Sequence, residues 1–162
     1  MFTPTNGGKR AVGENAGKYK FAIIVSDFNK KITDALLDGA MECLTANGAR
    51  EKNIDIVRVP GAFEIPLTAQ SLAMTKKYAA IVCLGAIIRG ETTHYELVAS
   101  ECARGILDAG MKTNVPILFG VLAVNTRRQA IARAQKNETN KGWETALAAI
   151  QMASLFASKI IH

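Results

Sequence analysis

Residues 78–110, YAAIVCLGAIIRGETTHYELVASECARGILDAG, pass directly from a β run into a helix. The first part, YAAIVCLGAII, is apolar at nearly every position rather than at alternate ones, the pattern of a strand buried on both faces. The last part, THYELVASECARGILDAG, changes to helical spacing. Thr93 and Glu96 stand at the separation of a capping box, and the spacing predicts a helix end near Gly110. Strand, short glycine-bearing turn, helix: this phrase sets the architecture, because the rest of the chain repeats it.

Upstream, YKFAIIVS (19–26) is a short apolar strand. It precedes a helix from Ile32 to Ala46 with Leu36, Leu37, Ala40, Met41 and Leu44 at helical spacing, and Asn47-Gly48 supplies its left-handed stop. IDIVRVP (54–60) is a further strand. It leads into EIPLTAQSLAMTKK (64–77), whose Pro66 belongs in the first helical turn, where a missing N–H costs nothing. Downstream, PILFGVLAV (116–124) is the fourth strand and TRRQAIARA (126–134) a short helical piece. A final helix from Lys141 to Ile160 buries Ala146, Leu147, Ile150, Ala153 and Leu155. Four strands alternating with helices predict an α/β fold, a three-layer αβα sandwich around a four-stranded parallel sheet, flavodoxin-like in type. Residues 19–162 form one domain on this reading, and the Gly- and Asn-rich residues 1–18 a flexible N-terminal arm.

The chain has 162 residues, of which 49% are apolar and 21% charged, which suits one globular domain and excludes a disordered tail. No apolar run approaches the length a bilayer requires, so no membrane association is expected. The apolar share is high for a domain of this size and points to burial between subunits. The net charge of +6 is unevenly spread. Residues 1–31 and 127–162 each carry six Lys or Arg against two acids, and the middle carries eight against ten. Aromatic residues make up only 6%, and the basic residues stand singly or in pairs, which argues against nucleic acid as a partner and for a surface that attracts anionic small molecules. Cys43, Cys83 and Cys102 are odd in number, widely spaced and set among apolar residues, as reduced thiols of a cytoplasmic protein are. The N-terminus lacks the apolar core of a signal peptide, although the scarcity of acids before Asp27 leaves an organellar transit peptide open.

In a sheet of this kind ligands bind at the carboxyl ends of the strands. That directs attention to four segments: Ser26-Asp27-Phe28-Asn29, Pro60-Gly61-Ala62-Phe63-Glu64, Gly85 to His94, and the segment after Phe119-Gly120. Gly85-x-x-x-x-Gly90-Glu91-Thr92 has the outline of a P-loop, but Glu91 stands where that motif requires lysine, which argues against a nucleoside triphosphate. The remaining features are a helix N-terminus with free N–H groups and the hydroxyls of Thr92 and Thr93, suited to one phosphate; a plain capped helix is the alternative. His94 lies in the first turn of that helix. There the dipole opposes an imidazolium and a bound phosphate favours it, so His94 is either a proton carrier or a structural residue. Phe28 and Phe63 could stack on a flat heterocycle or simply rim the core. Glu64 could accept hydrogen bonds from ligand hydroxyls or ring N–H groups, or merely suit the helix dipole. Arg133 and Lys141 are solvated charges or phosphate clamps. No serine or cysteine has a fitted base, and a single internal histidine without a ligand cluster gives no metal site.

The motifs taken in order, Asp27-Phe28-Asn29, Val59 to Pro66 (VPGAFEIP), Gly85 to Glu96 (GAIIRGETTHYE), Phe119 to Leu122 (FGVL), Gln129-Ala130-Ile131-x-Arg133-Ala134 and Asn140-Lys141-Gly142, resemble the 6,7-dimethyl-8-ribityllumazine synthase family from about Phe21 to the C-terminus. The resemblance implies the penultimate step of riboflavin synthesis. 5-Amino-6-(D-ribitylamino)uracil condenses with 3,4-dihydroxy-2-butanone 4-phosphate, with no cofactor and no metal. It implies that Phe28 stacks on the pyrimidine, that Ala62, Phe63 and Glu64 hold the ribityl chain, and that Ala86, Ile87 and Ile88 meet the ring through their backbone. Glu91, Thr92 and Arg133 would hold the phosphate, and His94 would move protons. Phe119, Arg133 and, as a further candidate, Lys141 would come from an adjacent subunit, because family sites lie between the subunits of a homopentamer. Decamers and sixty-subunit icosahedral shells also occur, and riboflavin synthase is a further candidate partner. The chain departs from the family pattern at Ala123-Val124-Asn125, where Thr-Thr and an acid are usual, and at residues 135–139, usually richer in glycine. Two other functions fit such a fold: a non-catalytic flavin or lumazine carrier, and a shell-forming scaffold.

Overall fold

The computed structural model describes residues 15–137 and 139–161. The first fourteen residues of the expected arm lie outside these. Asn15 caps a 3-10 turn at Ala16–Lys18, and the buried Ala16 donates its N–H to the Asn47 carbonyl, so the part of the arm that is described is seated against the first helix end.

The strands are β1 (Phe21–Ser26), β2 (Ile54–Val59), β3 (Ala80–Ile88) and β4 (Ile117–Val124), all parallel, in the order β2-β1-β3-β4. The helices are α1 (Lys30–Ala46), α2 (Ile65–Met74), α3 (His94–Thr113), α4 (Arg127–Arg133) and α5 (Lys141–Ala157). This is the expected three-layer α/β sandwich, with the strand order of flavodoxin-like sheets. Register is continuous across the sheet: Phe21 lies beside both Ile54 and Ala80, and Ile81 beside Ile117.

Alternate strand residues feed two cores, as the two-residue period of a strand requires. Phe21, Ile23 and Val25 of β1, with Ala80, Val82 and Leu84 of β3, pack under α1, α4 and α5. Ala22 and Ile24, with Ile81 and Cys83, pack under α2 and α3. That is why β1 and β3 read as unbroken apolar runs. β2 is an edge strand whose polar Asp55 and Arg58 point away from the core. Each fully buried Leu or Ile here contributes about 1.5–3 kcal/mol of transfer free energy.

Helix ends follow local chemistry. Asn47-Gly48 closes α1 as expected: Gly48 takes φ 95°, its N–H donates to Thr45, and the Ala49 N–H reaches back to Leu44. Two ends differ from the sequence reading. α3 continues past Gly110 to Thr113 and stops at Asn114, left-handed at φ 53°, whose N–H donates to Gly110. α5 ends at Ala157 rather than Ile160, and Leu155 is 40% exposed because it falls off the apolar stripe that Ile150 and Ala153 continue.

α5 approaches α1 more closely than any side chain would permit. A Cβ on Gly142 would lie 1.9 Å from the Leu36 carbonyl oxygen, and one on Gly39 2.2 Å from the Asn140 carboxamide. The buried Asn140 secures this junction. Its Nδ2 lies within hydrogen-bond distance of the carbonyls of Ala35, Ala134 and Gln135, and its Oδ1 accepts from the Gly142 and Trp143 N–H groups at the start of α5.

Candidate active site

The carboxyl ends of β1, β2 and β3 open onto one cleft of about 830 Å³. Its volume suits one or two small molecules. The sequence-predicted residues Phe28, Ala62, Phe63, Glu64, Ala86, Ile87, Ile88, Thr92 and His94 all line it. They come from three strand-to-helix connections, which the parallel order β2-β1-β3 necessarily brings to one edge.

Phe28 and Phe63 are 71% and 60% exposed. Two aromatic rings left in solvent at the mouth of a cleft forfeit the burial free energy their size offers, unless a ligand or another chain covers them. Phe28 is held by its neighbours. The Asp27 and Phe28 N–H groups donate to the carbonyls of Val59 and Pro60, continuing the β1–β2 ladder past the sheet. Arg58 bridges Asp27 at 2.9 Å and Asp34 at 2.7 Å, which ties the loop to α1. Asn29, left-handed at φ 60°, donates its carboxamide to Ala86.

The second half of the cleft is the turn between β3 and α3. Thr93 is the N-cap residue of α3 but makes no side-chain cap, so the expected capping box with Glu96 is not formed. Glu96 is instead taken up by Arg89 in an ion pair. Hydrogen bonding from the Arg89 guanidinium holds the Glu96 carboxyl below its ordinary value. Among the described residues, none accepts from the N–H groups of Thr93 or Tyr95, while the His94 N–H meets the Thr92 hydroxyl at 3.4 Å. Thr92 and Tyr95 line the cleft, so the Thr92 hydroxyl and the positive dipole end of α3 with its open N–H groups stand at its wall, a ready receptor for an anion.

Glu91 is exposed on the same turn but does not line the cleft. Phe119, Arg133 and Lys141 do not line it either. β4 ends at Val124, as the strand reading of 116–124 has it, and this places Phe119 in mid-strand on the sheet edge, 47% exposed, rather than at the strand end where the other site segments lie. Gly120 fits there because a Cβ would meet the Cys83 carbonyl at 2.9 Å and Leu84 at 2.8 Å. Arg133 ends α4 and donates to the Gln129 carbonyl, and Lys141 pairs with Glu144 at 2.5 Å.

Sequence reasoning missed Tyr95, Leu97, Val98 and Glu101, all of which line the cleft. With His94 as the first position, 94, 97, 98 and 101 form a helical i, i+3, i+4, i+7 stripe, so the signal was present once α3 was assigned. Arg89 lies within the Gly85 to His94 segment, but the sequence reading gives it no role. Its Nε donates to Asn125, its guanidinium lies 4.4 Å from the Tyr95 ring centroid, and its backbone N–H donates to Val124. Of its partners, Val124 and Asn125 lie far along the chain, and the folded β3–β4 pair brings them near.

The family model for 6,7-dimethyl-8-ribityllumazine synthase matches residues 18–157. The chain is 52% identical over 136 residues to the 6,7-dimethyl-8-ribityllumazine synthase of Desulfotalea psychrophila, covering 84% of this chain and 88% of that protein. The protein of the same name from Syntrophus aciditrophicus matches to the same extent. That of Clostridium kluyveri is 47% identical over 141 residues, 87% of this chain and 92% of the relative. The match runs unbroken through β1 to α5 and takes in every connection that builds the cleft, and the chain therefore belongs to the 6,7-dimethyl-8-ribityllumazine synthase family.

Proposed function

We infer that the cleft carries out the condensation of 5-amino-6-(D-ribitylamino)uracil with 3,4-dihydroxy-2-butanone 4-phosphate. The products are 6,7-dimethyl-8-ribityllumazine, phosphate and water, in the penultimate step of riboflavin biosynthesis. The protein is a lumazine synthase, a transferase. The observation that carries the site assignment is one cleft with an exposed aromatic ring, Phe28, and an uncapped helix start beside His94 and Thr92. The first suits a flat pyrimidine and the second a phosphate.

Phe28 stacks on the pyrimidine, while Ala62, Phe63 and Glu64 hold the ribityl chain, the Glu64 carboxylate accepting from its hydroxyls. The Ala86, Ile87 and Ile88 backbone meets the ring edge. Thr92 and the α3 N–H groups receive the phosphate, with Glu91 on the same turn. The 5-amino group of the pyrimidine attacks the ketone, and the carbinolamine loses water to give an imine. Loss of the adjacent C3 proton then expels phosphate and leaves an enol that tautomerises to a ketone, on which the ribitylamino nitrogen closes the ring with loss of a second water. Each step needs a proton moved rather than a strong nucleophile. His94 is placed to carry it, and holding the two partners together supplies the larger part of the rate.

Phe119, Arg133 and Lys141, remote from this cleft, complete the site of an adjacent subunit, Arg133 on the phosphate. The exposed Leu67, Leu107 and Met111 on α2 and α3 are then covered by neighbours. The assembly we propose is a homopentamer or a multiple of it, a decamer or sixty-subunit shell, with riboflavin synthase as a candidate partner. Light scattering that gives a monomer at working concentration would refute it. Three buried thiols suit the cytoplasm.

Purified protein mixed with both substrates, followed by lumazine absorbance against a protein-free blank, tests the catalytic reading. A rate above blank that scales with protein and falls with His94→Ala supports it. Folded protein that gives no acceleration overturns it.

A further inference from the structure

We propose that Arg89 is a positioning residue that keeps the phosphate-receiving turn open by withholding Glu96 from the helix start. This rests on the reading that the Thr92–His94 turn receives the phosphate of the butanone substrate.

Glu96 is the third residue of α3, the position from which a glutamate reaches back to the N-cap N–H, here that of Thr93. A Glu96 so placed would occupy that N–H and set a carboxylate against the incoming phosphate. In this chain the box stays unformed and Glu96 lies on Arg89. Arg89 is itself fixed from several directions. Its backbone is hydrogen-bonded to Val124, its Nε donates to Asn125 at 3.0 Å, and its guanidinium stacks over Tyr95. Asn125 is anchored in turn, its N–H donating to Gln129 Oε1 at 2.8 Å within the Thr126–Gln129 capping box of α4. The guanidinium therefore cannot follow Glu96 toward the helix start, and Glu96 must come to it. A neutral Asn125 rather than an acid leaves Glu96 as the only carboxylate on Arg89 among the described residues, so the two charges are committed to each other. The ionised state of Glu96, favoured by Arg89, agrees with this pairing.

The test is a double-mutant cycle on Arg89 and Glu96, read as KM for each substrate separately. Arg89→Gln frees Glu96 to cap Thr93. KM for 3,4-dihydroxy-2-butanone 4-phosphate then rises about tenfold, the loss of one hydrogen bond to a charged group, while KM for the pyrimidine stays within about twofold. Adding Glu96→Ala to Arg89→Gln lowers the raised KM again, and by a larger factor than Glu96→Ala produces in the parent chain. Arg89→Lys, which keeps a cation for Glu96, is milder than Arg89→Gln. Arg89→Gln without effect on the phosphate-substrate KM overturns the proposal, and so does Glu96→Ala acting equally in both backgrounds. Thr92→Ala separates the two readings. If it raises that KM and Arg89→Gln does not, the phosphate site stands and the role of Arg89 falls. If neither moves it, both fall.

Discussion

The Asn29 carboxamide donates to the Ala86 carbonyl at 2.8 Å, joining the loop that carries Phe28 to the end of the strand that forms the cleft floor. Asn29 does this from a left-handed backbone at φ 60°, a conformation that asparagine tolerates better than alanine. Asn29→Ala is expected to lose about 1–2 kcal/mol from the bond and the backbone together, and Asn29→Gly to recover the backbone share. Urea unfolding at fixed protein concentration measures this. KM for the pyrimidine should rise in both variants, because both release the Phe28 loop from Ala86.

His94→Ala should leave the circular dichroism spectrum unchanged, because His94 is exposed at the start of α3. Turnover should fall by about 10²-fold or less, the range of ordinary proton-transfer assistance. An unchanged rate of lumazine formation would reduce His94 to a structural residue.

Arg133→Ala should weaken the phosphate-bearing substrate selectively. Loss of one charged hydrogen-bonding partner corresponds to about tenfold or more in KM. Steady-state kinetics with each substrate varied in turn gives the answer, and equal weakening of both would refute the assignment.

The Tyr78 hydroxyl donates to Asp55 at 2.7 Å, and Lys20 pairs with the same carboxylate at 2.9 Å. Tyr78 and then Lys20 hold the Asp55 carboxyl below its ordinary 3.8, while the bond to Asp55 pushes the Tyr78 hydroxyl up to about 12. Between the lowered folded value and 3.8 the unfolded chain binds more protons at Asp55, so this contribution is complete above pH 3.8 and is lost as pH falls through the lowered value. At the alkaline end the unfolded tyrosine loses its proton first. The contribution of Tyr78 is therefore complete below pH 10.0 and is lost as pH rises toward about 12. Tyr78→Phe should lower the stability plateau by no more than about 1 kcal/mol for this half-exposed pair and flatten the acid and alkaline limbs, because the contribution that titrates away at either end is already gone. Urea midpoints across pH 3 to 11 report it.

The Ser26 hydroxyl is buried and has no hydrogen-bond partner among the described residues. Ser26→Ala removes an unsatisfied polar group and is expected to raise stability by about 1 kcal/mol. Burial pushes the thiols of Cys83 and Cys102 up, the latter to about 11, so both should resist a thiol reagent at pH 8 until the protein unfolds.

The layers of the fold were legible because β1 and β3 are buried on both faces and carry no alternation to mislead. Asn47-Gly48 was equally plain, since a left-handed glycine stop depends on neighbouring residues alone. Glu96 shows where local reading stops. Its spacing from Thr93 spelled a capping box, but Arg89 offers a charged partner that the local signature does not contain. Thr126 and Gln129 stand at the same spacing and do form a box. Phe119 and Gly120 lie inside the strand read at 116–124, and Gly120 is there to let β4 lie against Leu84 and Thr145, so this segment builds the sheet and not the cleft. The cleft residues were found from three of the four strand ends, and the α3 stripe below His94 was overlooked because the strand-end rule points to loops and not to the helix that follows them.

α1 and α5, locked together at Gly142 and Leu36, lie on one face of the sheet, and α2 and α3 on the other. Phe28 leads into the first layer and the Thr92–His94 turn into the second. A molecule that touches both is therefore a strut across the edge of the sheet, mechanically joining the two slabs. On the proposed assignment, either substrate alone would brace one side. The joined intermediate would brace both, and the protein should resist shear between its layers most strongly while the new ring is being made.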